Sequence, residues 1–317
     1  MVKIIVTGGA GFIGSHVVEE LVKNKYEVKV IDNLSNGSLN NLGNVKDKIE
    51  FVKSDITDME SLNKEFRDAD FVLHYAALKY ILESIENPVD YHNVNINGTY
   101  NVLEASRRNK IKGVLFAGSS VVYGENPVLP LKENFVPMPK STYAVTKLFG
   151  EYYCRLFSEN YGLRTVILRY SNVFGPRQDI NSEYAAAVPK FISRMIKDES
   201  PIIWGEGIKT RDFVYVKNIV DANINILKND KFNGEIINIG SGVPTNINEL
   251  VAIINHFLNK NIKAKYVLPF EGDLKHNYLD VSKANDLIGY TQLYDLNYGI
   301  NETIEWIKEK QKQKITL

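Results

Sequence analysis

Cysteine is nearly absent: Cys154 is the single one in 317 residues. One thiol excludes an internal disulfide framework and a cysteine-based zinc site. Cys154 falls among Tyr152, Tyr153 and Leu156 in a predicted helix, so it reads as a buried apolar thiol. Net charge is also missing. Lys and Arg number 38, Asp and Glu number 38, and the formal balance is zero. Such a chain has no general attraction for nucleic acid or for an anionic membrane, although a local basic site for phosphates stays open. Long apolar runs are lacking too. None approaches the roughly 20 residues of a membrane span, and the run in "MVKIIVTGG" is too short for a signal peptide. A cytoplasmic protein is expected, without nucleic-acid or membrane partners and without a metal. No internal repeat or low-complexity tract interrupts the chain.

The remaining composition is that of an ordinary globular protein, with 44% hydrophobic and 24% charged residues. Its length allows a large core, in one large domain or two intimate ones. In the first half, short apolar runs alternate with helical spacing. "KIIVTG", "EVKVID", "IEFVKSD", "DFVLHYAA", "GVLFAGS" and "RTVILRYS" read as strands. Residues 12–24, 91–109 and 143–160 read as helices. This alternation predicts an α/β fold: a doubly wound parallel sheet with ligands at the C-terminal strand edge. After residue 171 the punctuation thickens ("NVFGPRQD", "KDESPIIWGEG", "GSGVPTN", "LPFEGDLKHN"), with further strands at "TRDFVYV" and "GEIINIGS". The expected division is a sheet domain over 1–170 and a smaller lobe over 171–317, some of whose segments return to the sheet.

The run Thr7-Gly8-Gly9-Ala10-Gly11-Phe12-Ile13-Gly14 joins the first strand to the first helix. A diphosphate needs close backbone approach and the free N–H groups at a helix start, which Gly8, Gly11 and Gly14 permit. Glycines also mark simple turns, but here Asp32 ends the second strand 18 residues past Gly14, near the spacing of a ribose-binding carboxylate. A carboxylate there repels a 2′-phosphate, and Asn33 rather than arginine follows, so NAD is favoured over NADP. Asp55-Ile56 ends the third strand. It reads as the cap of the helix "TDMESLNKEF" and as an adenine contact, and both roles can hold together.

Two serines close the fifth strand in "GSSVVYG" (118–124), and "YAVTK" (143–147) opens a helix downstream. Tyr143 and Lys147 are four apart and share a helix face. An ammonium beside a phenol favours the phenolate, as a base near neutrality requires. Ser119 could then hold a substrate hydroxyl and relay its proton. Such pairs also occur by chance; this one gains force from the dinucleotide loop upstream.

"TGGAGFIG", the serines before "VYG", and "YAVTK" together resemble the extended short-chain dehydrogenase/reductase superfamily. "HYAALKYILESIENPVDYHNVNINGT", "RYSNVFGPRQ", "AVPKF", "TRDFVYV" and "GDLKH" narrow the resemblance to nucleotide-sugar 4-epimerases of the UDP-galactose 4-epimerase type. It runs from residue 3 to about 306. It implies a Rossmann-type NAD-binding domain with a smaller nucleotide-sugar lobe, and a homodimer formed by helices 91–109 and 143–160. Ser119, Tyr143 and Lys147 then take the catalytic positions. Phe12, Ile13, Ala76, Ala77, Lys79 and Tyr170 join the glycines, Asp32, Asn33, Asp55 and Ile56 around NAD. Asn172, Ala187, Trp204, Arg211 and Asp273 join Ser119 and Tyr143 around a UDP-sugar. Without the resemblance, Trp204 reads as core packing and Arg211 as a surface ion pair.

Some positions depart from that group. Phe270 stands where an arginine is usual, three residues before Asp273, and Ser171 replaces a usual phenylalanine. Tyr80 is bulky where a small residue is common. Asn277 occupies a size gate near C2 of the sugar and is smaller than the tyrosine of some relatives. Rival activities stay open. A 4,6-dehydratase or decarboxylase wants an acid after the catalytic hydroxyl, where this chain has Ser120 and Val121. A UDP-glucuronate 4-epimerase wants a cation near C6. A non-enzymatic dinucleotide binder would typically have lost the tyrosine or the lysine.

Overall fold

The computed structural model describes residues 1–315 except 181, 183–185, 230–232 and 270–274. Seven strands form the main sheet: β1 (Lys3–Thr7), β2 (Glu27–Asp32), β3 (Ile49–Lys53), β4 (Phe71–His74), β5 (Gly113–Ser119), β6 (Arg164–Tyr170) and, from far along the chain, β10 (Glu235–Ile239). Their order is β10-β6-β5-β4-β1-β2-β3, and every pairing is parallel. The apolar runs are continuous because both faces are covered. Side chains alternate across a strand. Ile4 and Val6 therefore enter a core with helices α1 (Phe12–Lys23), α8 (Val216–Leu227) and α10 (Ser282–Ile288). Ile5 points the other way, into a core with α2 (Met59–Glu65), α5 (Gly98–Arg108) and α6 (Thr142–Tyr161). Cys154 is fully buried in that second core.

The short helices α3 (Ile81–Glu86) and α4 (Pro88–Tyr91) lead through a wide π-helical turn, His92–Asn97, into α5. The turn aims Asn95 at the loop after β4. Its amide accepts from Leu78 N (2.8 Å) and donates to Leu78 O (2.9 Å) and Thr146 Oγ1 (3.0 Å). α2 is capped by Asp58, whose carboxylate accepts from Ser61 N at 3.0 Å. Asp55 is thus not the cap; it closes its own turn onto Thr57 and accepts from Asn33 Nδ2 at 2.7 Å.

The rest of the chain builds a second, smaller body. β7 (Asn172–Phe174), β9 (Thr210–Tyr215), β11 (Pro244–Asn246) and β13 (His276–Asn277) form one sheet. β8 (Ile202–Trp204) and β12 (Lys265–Val267) form a two-stranded one. Helices α7 (Ala187–Ile196), α9 (Ile247–Leu258) and α11 (Leu296–Ile315) share a core with Phe174, Phe213 and Tyr215. Asp212 ties this body together. Its buried carboxylate accepts from Ser241 N and Oγ, Gly242 N, Leu279 N and Ser171 Oγ. Among the described residues no helix is long and apolar enough to cross a membrane. None forms a His/Cys/Asp/Glu group able to hold a metal.

β1 and β4 are neighbours, yet the chain leaves β1 for β2 on one side and resumes β4 on the other. That reversal opens a crevice at the C-terminal strand ends. The packing of α6 behind it is tight: a Cβ on Gly150 would run into the Phe116 ring. Gly150→Ala gains about 1 kcal/mol of helix propensity but overpacks a buried ring at a cost of about 1–3 kcal/mol. A lower urea midpoint than wild type is expected; an unchanged or raised midpoint would contradict this packing.

Candidate active site

A cavity of 740 Å³ fills the crevice and reaches into the second body. Its floor begins at the glycine loop. Gly8 has a positive φ of 70°, and a Cβ there would lie 2.5 Å from Ala76 N. A Cβ on Gly14 would strike Gly8 O. Gly11 caps α1 with no side-chain bond, so the first-turn amides of Phe12, Ile13 and Gly14 open toward the cavity. An uncapped helix start of this kind suits an anion. Asp32 lies at the end of β2 and is only 7% exposed. Its oxygens accept from Ala10 N (2.9 Å) and Leu34 N (2.8 Å), which pins the loop to the strand. Burial raises its pKa, and those two bonds oppose the rise. The neighbouring wall residues are Asn33, Ser35 and Asn36, with no cation to meet a 2′-phosphate. The glycine cradle and the Asp32 carboxylate on one cavity wall fit NAD.

Ile56, Ala76, Ala77 and Lys79 continue that wall. The Lys79 ammonium lies 5.1 Å from the centroid of the Tyr80 ring. Burial lowers its pKa, while Asp179 and Glu83 hold it up. Tyr80 donates across the cavity to Asp179 Oδ2 at 3.1 Å. Asp55 is not on the wall, but Asn33, its hydrogen-bond partner, is. Tyr170 closes the base and shares Asn223 Oδ1 with Tyr75, at 3.1 and 2.6 Å.

The reactive end lies where β5 stops. Ser119 N-caps the short turn Ser120–Tyr123 and accepts from Val121 N at 3.3 Å. Ser119 also opposes the rise in the Tyr143 phenol's pKa. Tyr143 and Lys147 stand one turn apart on α6. Lys147 Nζ donates to Ala117 O (2.9 Å) and lies 5.0 Å from the Phe116 ring centroid and 5.9 Å from that of Tyr143. Burial pushes Lys147 down to about 8, against Glu151 and Cys154. Burial pushes Tyr143 the other way, up to about 12. The spacing alone predicts a phenol lowered by its lysine. In the structure desolvation governs the phenol instead, and the ammonium is engaged by the Ala117 carbonyl.

Asn172 and Arg211 enter the cavity from the second body. Asn172 Nδ2 donates to Asp212 O at 3.2 Å, and Arg211 Nη1 to Thr210 O at 2.9 Å. Ala187 starts α7 beside Ala186, which is on the wall. Trp204 ends β8, half exposed and away from the wall. Asp273 and Phe270 lie outside the described residues. Among the described residues, two on the wall carry buried acceptors with no partner, Gln178 Oε1 and Asn277 Oδ1. An orphaned acceptor of that kind is a natural hydrogen-bond site for a ligand. Gln178 carries no sequence signal beyond its place in "GPRQ". His74 could have been noticed, as an imidazole inside an apolar strand. It is buried and neutral, held near 3 by desolvation, and bridges Thr7 and Thr99 at 2.7 and 3.0 Å.

Comparison with known proteins agrees with this geometry. Residues 4–240 match the NAD dependent epimerase/dehydratase family. A Methanocaldococcus jannaschii protein provisionally named UDP-glucose 4-epimerase is 43% identical, covering 98% of this chain and 99% of its own. The UDP-N-acetylglucosamine 4-epimerase of Methanobrevibacter ruminantium, solved with UDP-N-acetylmuramic acid, is 42% identical with a TM-score of 0.93, over 97% of this chain and 98% of that one. The UDP-glucose 4-epimerase of Thermotoga maritima, solved with UDP-glucose, is 36% identical with a TM-score of 0.93, over 98% and 99%. With three-quarters of its length matched and a glycine cradle that fits the cofactor, this chain belongs to the NAD dependent epimerase/dehydratase family.

Proposed function

We propose that the chain is a cytoplasmic, homodimeric NAD-dependent 4-epimerase of UDP-hexoses, acting on UDP-glucose and UDP-galactose or on their N-acetyl forms. The observation that carries this reading is one cavity shared by the glycine cradle and the Ser119–Tyr143–Lys147 group, with Ser120 and Val121 in place of an acid after Ser119. NAD held by Gly8, Gly11, Gly14 and Asp32 would supply the hydride acceptor and donor for C4 and a positive charge to the cavity. Tyr143 accepts the O4 proton through Ser119 and later gives it back. Burial holds the phenol near 12, so forming the base needs cationic help, and Lys147 supplies part of it from the same helix face. No carboxylate follows Ser119 to draw a proton from C5, so the 4-keto sugar turns about its diphosphate link and is reduced on its other face. Asn172 and Arg211 anchor the diphosphate, and binding energy from the UDP supports the reacting end.

The dimer reading is supported by an exposed apolar stripe on α6. Val145, Phe149, Tyr152 and Leu156 recur at spacings of four, three and four, one face of a helix. Tyr100 of α5 packs edge-on beside it against Tyr153, with centroids 5.6 Å apart.

Chromatography of UDP-glucose, UDP-galactose and their N-acetyl forms after incubation tests the activity; no interconversion of any pair would refute it. Tyr143→Phe should cut turnover by about 10²–10⁴-fold while NAD stays bound. Asp32→Ala removes a charged acceptor worth about 1.5–3 kcal/mol, so NAD affinity measured by calorimetry should fall about ten- to hundredfold. Sedimentation should find a dimer at micromolar concentration, and Phe149→Glu a monomer. A wild-type monomer would count against the stripe as an interface.

A further inference from the structure

α6 carries a third buried ionisable group in register with the first two. Glu151 follows Lys147 by four residues, as Lys147 follows Tyr143, so all three share one helix face. The Glu151 side chain is 1% exposed and its partner Arg169 2%. The pairing is bidentate: Arg169 Nε donates to Oε1 at 2.9 Å and Nη2 to Oε2 at 2.6 Å. Arg169 lies on β6, in register with Gly118 of β5 and Asn238 of β10. Its guanidinium is 4.6 Å from the centroid of the Tyr123 ring, and Tyr123 donates to Asn238 Oδ1 at 2.7 Å.

A buried ion pair is a poor way to gain stability, because desolvation offsets the attraction and apolar residues of similar shape do as well. Its place one turn below Lys147 suggests another use. The geometry points to the Glu151–Arg169 pair as a positioning element that keeps the buried Lys147 ammonium charged through the working pH range. The inference rests on the role proposed for Lys147 but addresses how that lysine keeps its proton.

The surrounding charges support this. Glu151 is the largest influence opposing the desolvation of Lys147. Burial raises Glu151 itself, and Arg169, Lys147 and Arg155 pull it back. Among these, Arg169 opposes the rise most strongly, through its bidentate hydrogen bonds. Cys154, on the same helix, is a buried thiol pushed up by desolvation. His74 of β4 is neutral. Tyr123, from the turn after β5, is raised to about 12. Glu133 is spent on Asn238 N at 2.9 Å. Arg155 turns outward to Glu159. The sign follows. Lys147 is charged below its pKa, so losing the carboxylate moves the loss of its charge to lower pH.

The test uses the full-length protein with NAD bound, in wild type, E151Q, and the apolar pair E151L/R169M, which replaces both charges and so leaves neither unpaired. Titration of ¹³C,¹⁵N-lysine-labelled protein by NMR, with the Lys147 signal identified by its loss in K147M, reads the lysine directly. The midpoint is expected to fall by about one unit or more in both variants, and the alkaline limb of the kcat profile to move with it. E151Q keeps an acceptor for Arg169 and decides the matter by itself if the double variant does not fold. A fall of less than half a unit, or a stability loss with the midpoint unmoved, would make the pair merely structural. Failure of the epimerase reading would look different: wild type would lack turnover whatever its lysine titration.

Discussion

Desolvation sets the behaviour of the cavity wall. An ammonium, a phenol and a carboxylate are all withdrawn from water along one helix face, and each responds by moving toward its neutral form. Lys147 falls to about 8 and Tyr143 rises to about 12. Their chemistry therefore depends on which charges arrive beside them, and the fold rations those charges closely. Lys147 is anchored on Ala117 O and backed by a carboxylate that is itself held by an arginine. Burial favours the neutral phenol, and the base needs a cation beside it.

The sheet provides the geometry for this. Every main strand runs the same way, so residues 7, 32, 74, 119 and 170 meet at one edge although the chain between them is long. The loop after β4 is then fixed by Asn95, which grips Leu78 through both its amide groups and reaches Thr146 with the second hydrogen of its NH₂. The wall beside Lys79 and the helix that carries Lys147 are thereby joined by one side chain.

Much of this was legible in the sequence for a simple reason. Parallel strands covered on both faces leave unbroken apolar runs, and a phosphate cradle excludes side chains at fixed places, so "KIIVTGGAGFIG" announces both. Six strands of the main sheet and the helix of Tyr143 lie where periodicity puts them. What pattern cannot supply is environment. Spacing placed Lys147 under Tyr143, but whether attraction or burial governs the phenol depends on how dry the pocket is. Asp55 and Asp58 both precede the second helix, and only backbone geometry selects Asp58 as its cap. Asp212 looks like a flaw in "TRDFVYV" until its five donors are seen. "GEIINIGS" reads as a strand, yet nothing local tells it to pair with Tyr170's strand rather than with Asp212's. Trp204 stands off the wall because its strand pairs with β12, a partner more than sixty residues downstream.

That late strand bears on how the chain is made. Until residue 239 has left the ribosome, β6 has no neighbour on its outer side, and its amide and carbonyl groups offer a free edge to any other nascent chain. The segment that must be waited for runs through β7, α7, β8, β9 and α8. The first part of the second body is therefore laid down while the first is still open, and a fragment stopped at residue 170 would keep that edge for good, inviting pairing with its own copies.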